Sequence, residues 1–590
     1  MILLLCICSV LVAFASGEQS PIVNITQGTV IGSVATDGNY FEFYGIPYAG
    51  STSGENRFKA PPAAPTFATP FEANIKNIKC VRPLGVGFEG VEDCLVANIF
   101  TPTLDNTAQL PVMVWIKGKE FDRVNVPELS FRNFVEKKVI IVSLNYRESI
   151  FGFLCLGTET APGNAGLKDI IAGLKWIKAN IAQFGGNPED ITLFGHGSGA
   201  AAVDLVTMSP MATGLVQKAI AQSGSAFAPW AVTRDNLKPA ILVAETLGHQ
   251  VISTRQLSDI FTKEHVSTLM DTINILELTD NSLVFAPCVE RPELKTVEPF
   301  LTKTPFQILR HREFLPIPII FGFVDNEGTI RAKEALESNW IEKMEISFAD
   351  FIQSDLKFET DTEKLAMVQR LRDFYFDEDQ IDILNFIEYH GDTMILISTI
   401  REASFRMLYS QTPVYVYQFS YSGKLGEPFK GPIPVESAAH SEELAYLFSN
   451  TSVEGTSKRD YRIRDLLVER WTNFAKTGNP TSAISQVTWW PCTVNTMNSL
   501  RFLNNTEISE DETLEIIVVN PYREKSNFWA YVYGFHFLDA ESNWVISPED
   551  EITTTESSTE AGDPNSASNA VANTFLTSTL FALLSHFHSS

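Results

Sequence analysis

Short β-branched apolar runs alternate with stretches of helical periodicity through most of this chain. The runs are 112–116, 139–144, 191–194, 317–323 and 414–419, each of a length and apolarity that fit a strand buried on both faces. From Gly166 to Phe184 the apolar residues Ile170, Ile171, Leu174, Ile177, Ile181 and Phe184 recur every three or four positions. That spacing predicts an amphipathic helix, which Gly185 and Gly186 terminate. The alternation predicts an α/β fold, with a central, mostly parallel, twisted sheet flanked by helices. Neither an internal repeat nor a linker interrupts 18–538, so this stretch reads as one large domain.

The two ends have a different texture. Residues 1–17 carry a short apolar run, Ile2 to Ala15, followed by Ser16 and Gly17. This is the pattern of a secretory signal peptide, too short to span a bilayer comfortably. Residues 539–569 turn into Glu, Asp, Ser and Thr, a solvated acidic stalk. In 570–590 a weakly apolar run from Ala570 to Leu584 follows, and the chain has no Lys or Arg after Lys525. A spanning helix would carry basic flanks. The small residues Asn565, Ser566 and Ala567, a polar spacer and a terminal apolar run instead match a GPI-anchor signal. The expectation is an extracellular protein, secreted or attached to the outer cell surface, touching the membrane only through that anchor.

Charge removes one class of partner. The 590 residues hold 45 Lys+Arg against 71 Asp+Glu, a net charge of −26, which disfavours nucleic acid. Apolar residues at 44% and charged residues at 20% exclude wholesale disorder and a polytopic membrane protein. With Cys6 and Cys8 in the leader, Cys80, Cys94, Cys155, Cys288 and Cys492 remain, an odd number. Cys80 and Cys94 are near enough to close a small loop, and at least one of the other three should be free or intermolecular. Since no CxxC or HxxxH pair occurs, neither a metal site nor a cofactor is expected. Sequons at Asn24, Asn450 and Asn504 fit a glycosylated surface.

The chemistry points to the turn after the 191–194 run. There Phe194-Gly195-His196-Gly197-Ser198-Gly199 leads into Ala200-Ala201-Ala202-Val203, the strand, tight turn and helix of a nucleophile elbow. Further stretches agree: 45–50 GIPYAG, 92–95 EDCL, 145–147 NYR, 162–169 PGNAGLKD, 222–226 QSGSA and 471–481 WTNFAKTGNPT. Together they resemble the type-B carboxylesterase and cholinesterase family, insect carboxylesterases in particular, over roughly 22–535. The resemblance implies an α/β-hydrolase fold and a first disulfide between Cys80 and Cys94. It also implies internal ion pairs, Arg57 with Glu92 and Arg147 with Asp169. Glu327, in Val324 to Gly328, matches the family's triad acid. His440, in Ala439 to Leu444, matches its histidine.

Against this pattern the chain departs at two places. The family centres a serine between the elbow glycines, where this chain has Gly197. Ser198 stands one residue later, and a step of about 100° on the helix should turn it away from the histidine. In the oxyanion loop the family runs His-Gly-Gly-Gly-Phe, and this chain runs Lys117-Gly118-Lys119-Glu120-Phe121. Lys119 and Glu120 thus replace two glycines whose N–H groups would face the oxyanion. Ser198 occupies the third donor position. His196 reads as a packed histidine rather than a spare base. Lys119 beside Glu120 would stay charged and poorly nucleophilic.

The structural signatures survive better than the catalytic ones. Neuroligins, neurotactin, gliotactin and glutactin are similar in having an esterase-like ectodomain without a full triad, in adhesion or matrix roles. The expectation is a non-catalytic recognition or adhesion protein whose partner is another extracellular protein. Two alternatives are a weak or unusual carboxylic ester hydrolase, using Ser198 or a water activated by His440, and a carrier holding a lipophilic small molecule near Trp230. No tryptophan lies between Cys80 and Cys94, which argues against a choline ligand.

Overall fold

The computed structural model describes residues 20–118, 121, 130–276, 279–280, 282–294, 297–376, 380–427, 433, 435–448, 454–481, 483–484, 486–508, 513–539 and 542–546. The leader 1–17, the tail 570–590, most of the stalk 539–569, and Lys119, Glu120 and Asn450 lie outside the described residues.

Eleven strands of the described residues form one sheet. They are β1 (Ser33–Val34), β2 (Phe41–Pro47), β3 (Val96–Thr101), β4 (Leu110–Ile116), β5 (Ile140–Leu144) and β6 (Gly186–His196), then β7 (Lys218–Gln222), β8 (Ile319–Val324), β9 (Val414–Phe419), β10 (Asn498–Phe502) and β11 (Glu515–Val519). Their order is β11-β10-β9-β8-β7-β6-β4-β5-β3-β2-β1. From β5 to β10 every neighbour pair is parallel. Both margins are antiparallel.

The centre follows the predicted runs closely. Every residue of β8 and β9 is buried, as a parallel strand covered on both faces requires. β8 begins at Ile319 rather than Ile317 because Pro318 has no N–H to give to a ladder. The helix α1 (Ala165–Asn180) ends four residues before the predicted end, and a 3-10 turn, Ile181–Phe184, carries the chain on. Gly185 stops that turn at φ 84°, while Gly186 already opens β6.

Five more helices frame the site: α2 (Ser198–Met208), α3 (Ile383–Gly391), α4 (Glu442–Phe448), α5 (Lys458–Thr477) and α6 (Arg523–His536). In α2 the small residues Ala200, Ala201 and Ala202 are fully buried and let the helix lie close to the sheet. α5 starts on a capping box between Ser457 and Asp460 and ends at Gly478 with φ 74°.

Two ion pairs implied by the family resemblance are present. Arg57 grips Glu92 at 2.7 and 3.0 Å. Arg147 meets Asp169 at 2.6 and 2.7 Å, and its remaining N–H groups reach the carbonyls of Asn56, Arg57, Lys59 and Ala165. Disulfides join Cys80 to Cys94 and Cys155 to Cys288, leaving Cys492 as the odd thiol. Burial pushes that thiol up to about 12, which disfavours the thiolate at neutral pH. Asn24 is exposed. Asn504 is 8% exposed, with Nδ2 turned to the Glu436 carbonyl at 3.5 Å.

Candidate functional site

β6 runs into the elbow and ends at His196, and α2 begins at Ser198. Gly197 sits between them at φ 59°, ψ −124°, a conformation that side chains resist. Its N–H donates to the Gln222 carbonyl at 2.8 Å, and its carbonyl accepts from Ala201 at 3.1 Å.

The elbow glycines divide into two kinds. A Cβ on Gly195 would lie 2.6 Å from Gly199, one on Gly199 2.3 Å from the Ile116 carbonyl, and one on Gly118 2.0 Å from the His196 carbonyl. These positions require glycine for close backbone approach. A Cβ on Gly197 would meet nothing within 4 Å. Space therefore demands glycine around the apex but not at it.

Ser198 is 1% exposed, beside the Tyr146 hydroxyl and without a well-formed hydrogen bond. Tyr146 donates to the Lys117 carbonyl at 2.7 Å, and burial holds its phenol well above the usual tyrosine range. No hydrogen bond joins Ser198 to His440 among the described residues.

The other two positions do meet. Glu327 opens a 3-10 turn after β8, where its Oε1 accepts from the Val324 N–H at 2.9 Å. Its Oε2 lies 2.5 Å from His440 Nδ1. The His440 backbone N–H donates to Thr329 Oγ1 at 2.8 Å. In the neutral tautomer whose Nδ1 donates to the carboxylate, Nε2 is the accepting nitrogen. The His440 side chain is 11% exposed and Glu327 is 2% exposed.

Two further titratable groups lie behind this pair. The His196 ring is 4.7 Å from the His440 ring, centre to centre, and His196 Nε2 is 3.5 Å from Glu443 Oε1. Burial, then the nearby His440, lowers His196 well below the usual histidine range. Burial, then the nearby Glu327, pushes Glu443 up to about 8. Burial thus disfavours the charged form of each partner in this contact. This agrees with the packed role expected for His196.

Lys117 and Glu443 were not singled out by sequence reasoning. Lys117 Nζ donates to Asn145 Oδ1 at 3.2 Å, and burial lowers its pKa. Glu443 left a faint signal, since it precedes the unbroken apolar run Leu444 to Phe448. A short helix so apolar is buried, and an acid at its start goes in with it. Trp230 is 5% exposed, bonded through Nε1 to the Met394 carbonyl at 3.0 Å, with its ring 6.2 Å from Phe121. Phe121 in turn lies 4.9 Å from Phe153. No group of three metal-ligating side chains occurs among the described residues.

The arrangement matches known proteins along most of the chain. The carboxylesterase family model covers residues 19–529. A juvenile hormone esterase of Tribolium castaneum is 32% identical over 501 residues, 78% of this chain and 84% of that protein. Neuroligin-2 of Mus musculus is 27% identical, covering 80% of this chain and 62% of its own length. Among solved structures, juvenile hormone esterase from Manduca sexta, with OTFP covalently attached, superposes with a TM-score of 0.78 at 25% identity, over 88% of this chain and all of that one. The sheet flanked by helices thus has the α/β-hydrolase layout of that structure, and the chain belongs to the carboxylesterase family.

Proposed function

We propose that this carboxylesterase-family protein does not hydrolyse esters through a serine nucleophile and serves in recognition of another extracellular protein. The observation that carries this reading is Gly197 at the apex of the elbow, at φ 59°. Position 197 itself carries no hydroxyl or thiol, and Ser198 is packed beside Tyr146. The replacement of two oxyanion-loop glycines by Lys119 and Glu120 supports it, because an acid near a developing oxyanion raises the barrier. Neuroligin-2 among the relatives is consistent with a protein partner.

One observation favours a second reading. The Glu327–His440 pair is intact at 2.5 Å, and such a pair could polarise a water for direct hydrolysis. His440→Ala separates the two readings. Under the proposal, the native chain and His440→Ala hydrolyse 4-nitrophenyl butyrate at equal rates across pH 6 to 9. A drop of tenfold or more in the variant would give the pair a chemical role and favour the hydrolase.

A further inference from the structure

A cleft of about 1010 Å3 lies over the carboxyl ends of β8, β9 and β10, the side of an open α/β sheet where ligands are usually received. α3 and Asp392 form one wall, Tyr522 and Lys525 at the start of α6 the other, and Asp325, Gln418 and Arg501 lie at the strand ends. Gly197, Ser198 and His440 do not line it. Glu327 does, but both its oxygens are taken by the Val324 N–H and His440. The cleft is therefore a place apart from the elbow.

Its charges do not balance. Lys525 pairs with Glu388 at 2.7 Å and Asp392 at 2.9 Å. Arg501 is turned to Glu507 at 3.1 Å and to Ser420 Oγ at 2.9 Å. Asp325 and Asp382 are left without an ion-pair partner among the described residues. Asp382 is exposed at the rim, where Oδ1 caps α3 through the N–H groups of Leu384 and Asn385.

Asp325 is partly buried and held rigidly: its Oδ1 accepts from Gln418 Nε2 and from Ser420 Oγ, each at 2.7 Å. Gln418 is fixed in turn on the Tyr522 hydroxyl at 2.8 Å. A preorganised carboxylate, partly shielded from water and lacking a cation, is the kind of group that gains most from receiving one. The Tyr522 ring beside it already has the Lys525 ammonium 5.6 Å from its centre, so an aromatic face for a second cation stands within the same wall. The space is too large for a bare metal ion, and no three metal-ligating side chains converge among the described residues.

We infer that this cleft binds an organic ammonium group, carried by a free amine or by a lysine side chain of a partner, with Asp325 as its counterion and Asp382 as a second charge at the rim. The test is calorimetric titration of the full chain at low salt with three probes: spermidine, a lysine-containing pentapeptide, and the same peptide acetylated on the lysine. Binding of either charged probe, with none by the acetylated peptide, is expected. Spermidine alone would identify a free amine, the peptide alone a protein partner. Asp325→Asn, which keeps the size of the side chain, should weaken binding by at least about tenfold. Asp382→Asn still caps α3, lies away from the strand ends, and should weaken it by about two- to fivefold. Unchanged affinity in both variants, or binding of no probe, would overturn the inference.

Discussion

Gly197→Ser alone is expected to leave ester turnover at least a hundredfold below that of the triple variant Gly197→Ser, Lys119→Gly, Glu120→Gly. The single change has what a new hydroxyl needs locally: nothing stands within 4 Å of the added Cβ, and His440 is already aligned by Glu327 at 2.5 Å. It also reintroduces side-chain strain at φ 59°, a cost of about 1 to 3 kcal/mol that the family's serine bears and glycine relieves. What it does not restore are the two glycines that the family has at Lys119 and Glu120. An oxyanion donor contributes about 2.7 to 4 kcal/mol to the transition state; Lys119 and Glu120 keep their N–H groups without glycine's backbone freedom, so two misaimed donors would cost about four to six orders of magnitude if additive. Non-additivity between neighbours lowers this to the hundredfold floor. The measurement is kcat/KM on 4-nitrophenyl butyrate for both variants. Robust turnover by the single variant would mean that only the nucleophile was lost.

The largest effect on stability is expected at Arg147. Its guanidinium is 2% exposed and Asp169 is fully buried. Removing one partner of such a pair leaves the other charge without compensation, at a cost of about 3 to 5 kcal/mol. Burial already raises the Asp169 carboxyl and Arg147 is the group that opposes this, so in Arg147→Met the acid takes up a proton on folding. Arg147 also bridges four backbone carbonyls between 56 and 165, and these lose their donors together. In urea unfolding Arg147→Met should lose about 3 to 5 kcal/mol, whereas Lys178→Met, whose partner Glu189 is 68% exposed, should lose at most about 1 kcal/mol. The double change Arg147→Met, Asp169→Leu should recover part of the loss. Equal, small effects for the two single variants would show that the buried pair is not a fastening of the fold.

The same contrast explains what could be read from residues alone. β8 and β9 were legible because a strand buried on both faces has no choice but to be apolar throughout. The margins were not: β1 has two residues, and β11 alternates weakly at an edge, so neither carries a pattern strong enough to stand out. The Cys155–Cys288 bridge spans 133 residues and depends on tertiary placement with no local signal. The elbow was legible through its glycines, yet glycine as a letter hides two meanings. Gly195, Gly199 and Gly118 are required by backbone contact, and Gly197 is not, a distinction that exists only once the strands and α2 are packed. The pairing of Glu327 with His440 was expected from the family resemblance. The buried His196–Glu443 contact behind it was not, because it exists only once α4 is packed behind the end of β6.

Incubation of the purified chain with a fluorophosphonate, read by intact mass and peptide mapping, tests the absence of a serine nucleophile most directly. The native chain should remain unlabelled under conditions that label the triple variant at position 197 to completion. Stoichiometric labelling of the native chain at Ser198 would contradict the account.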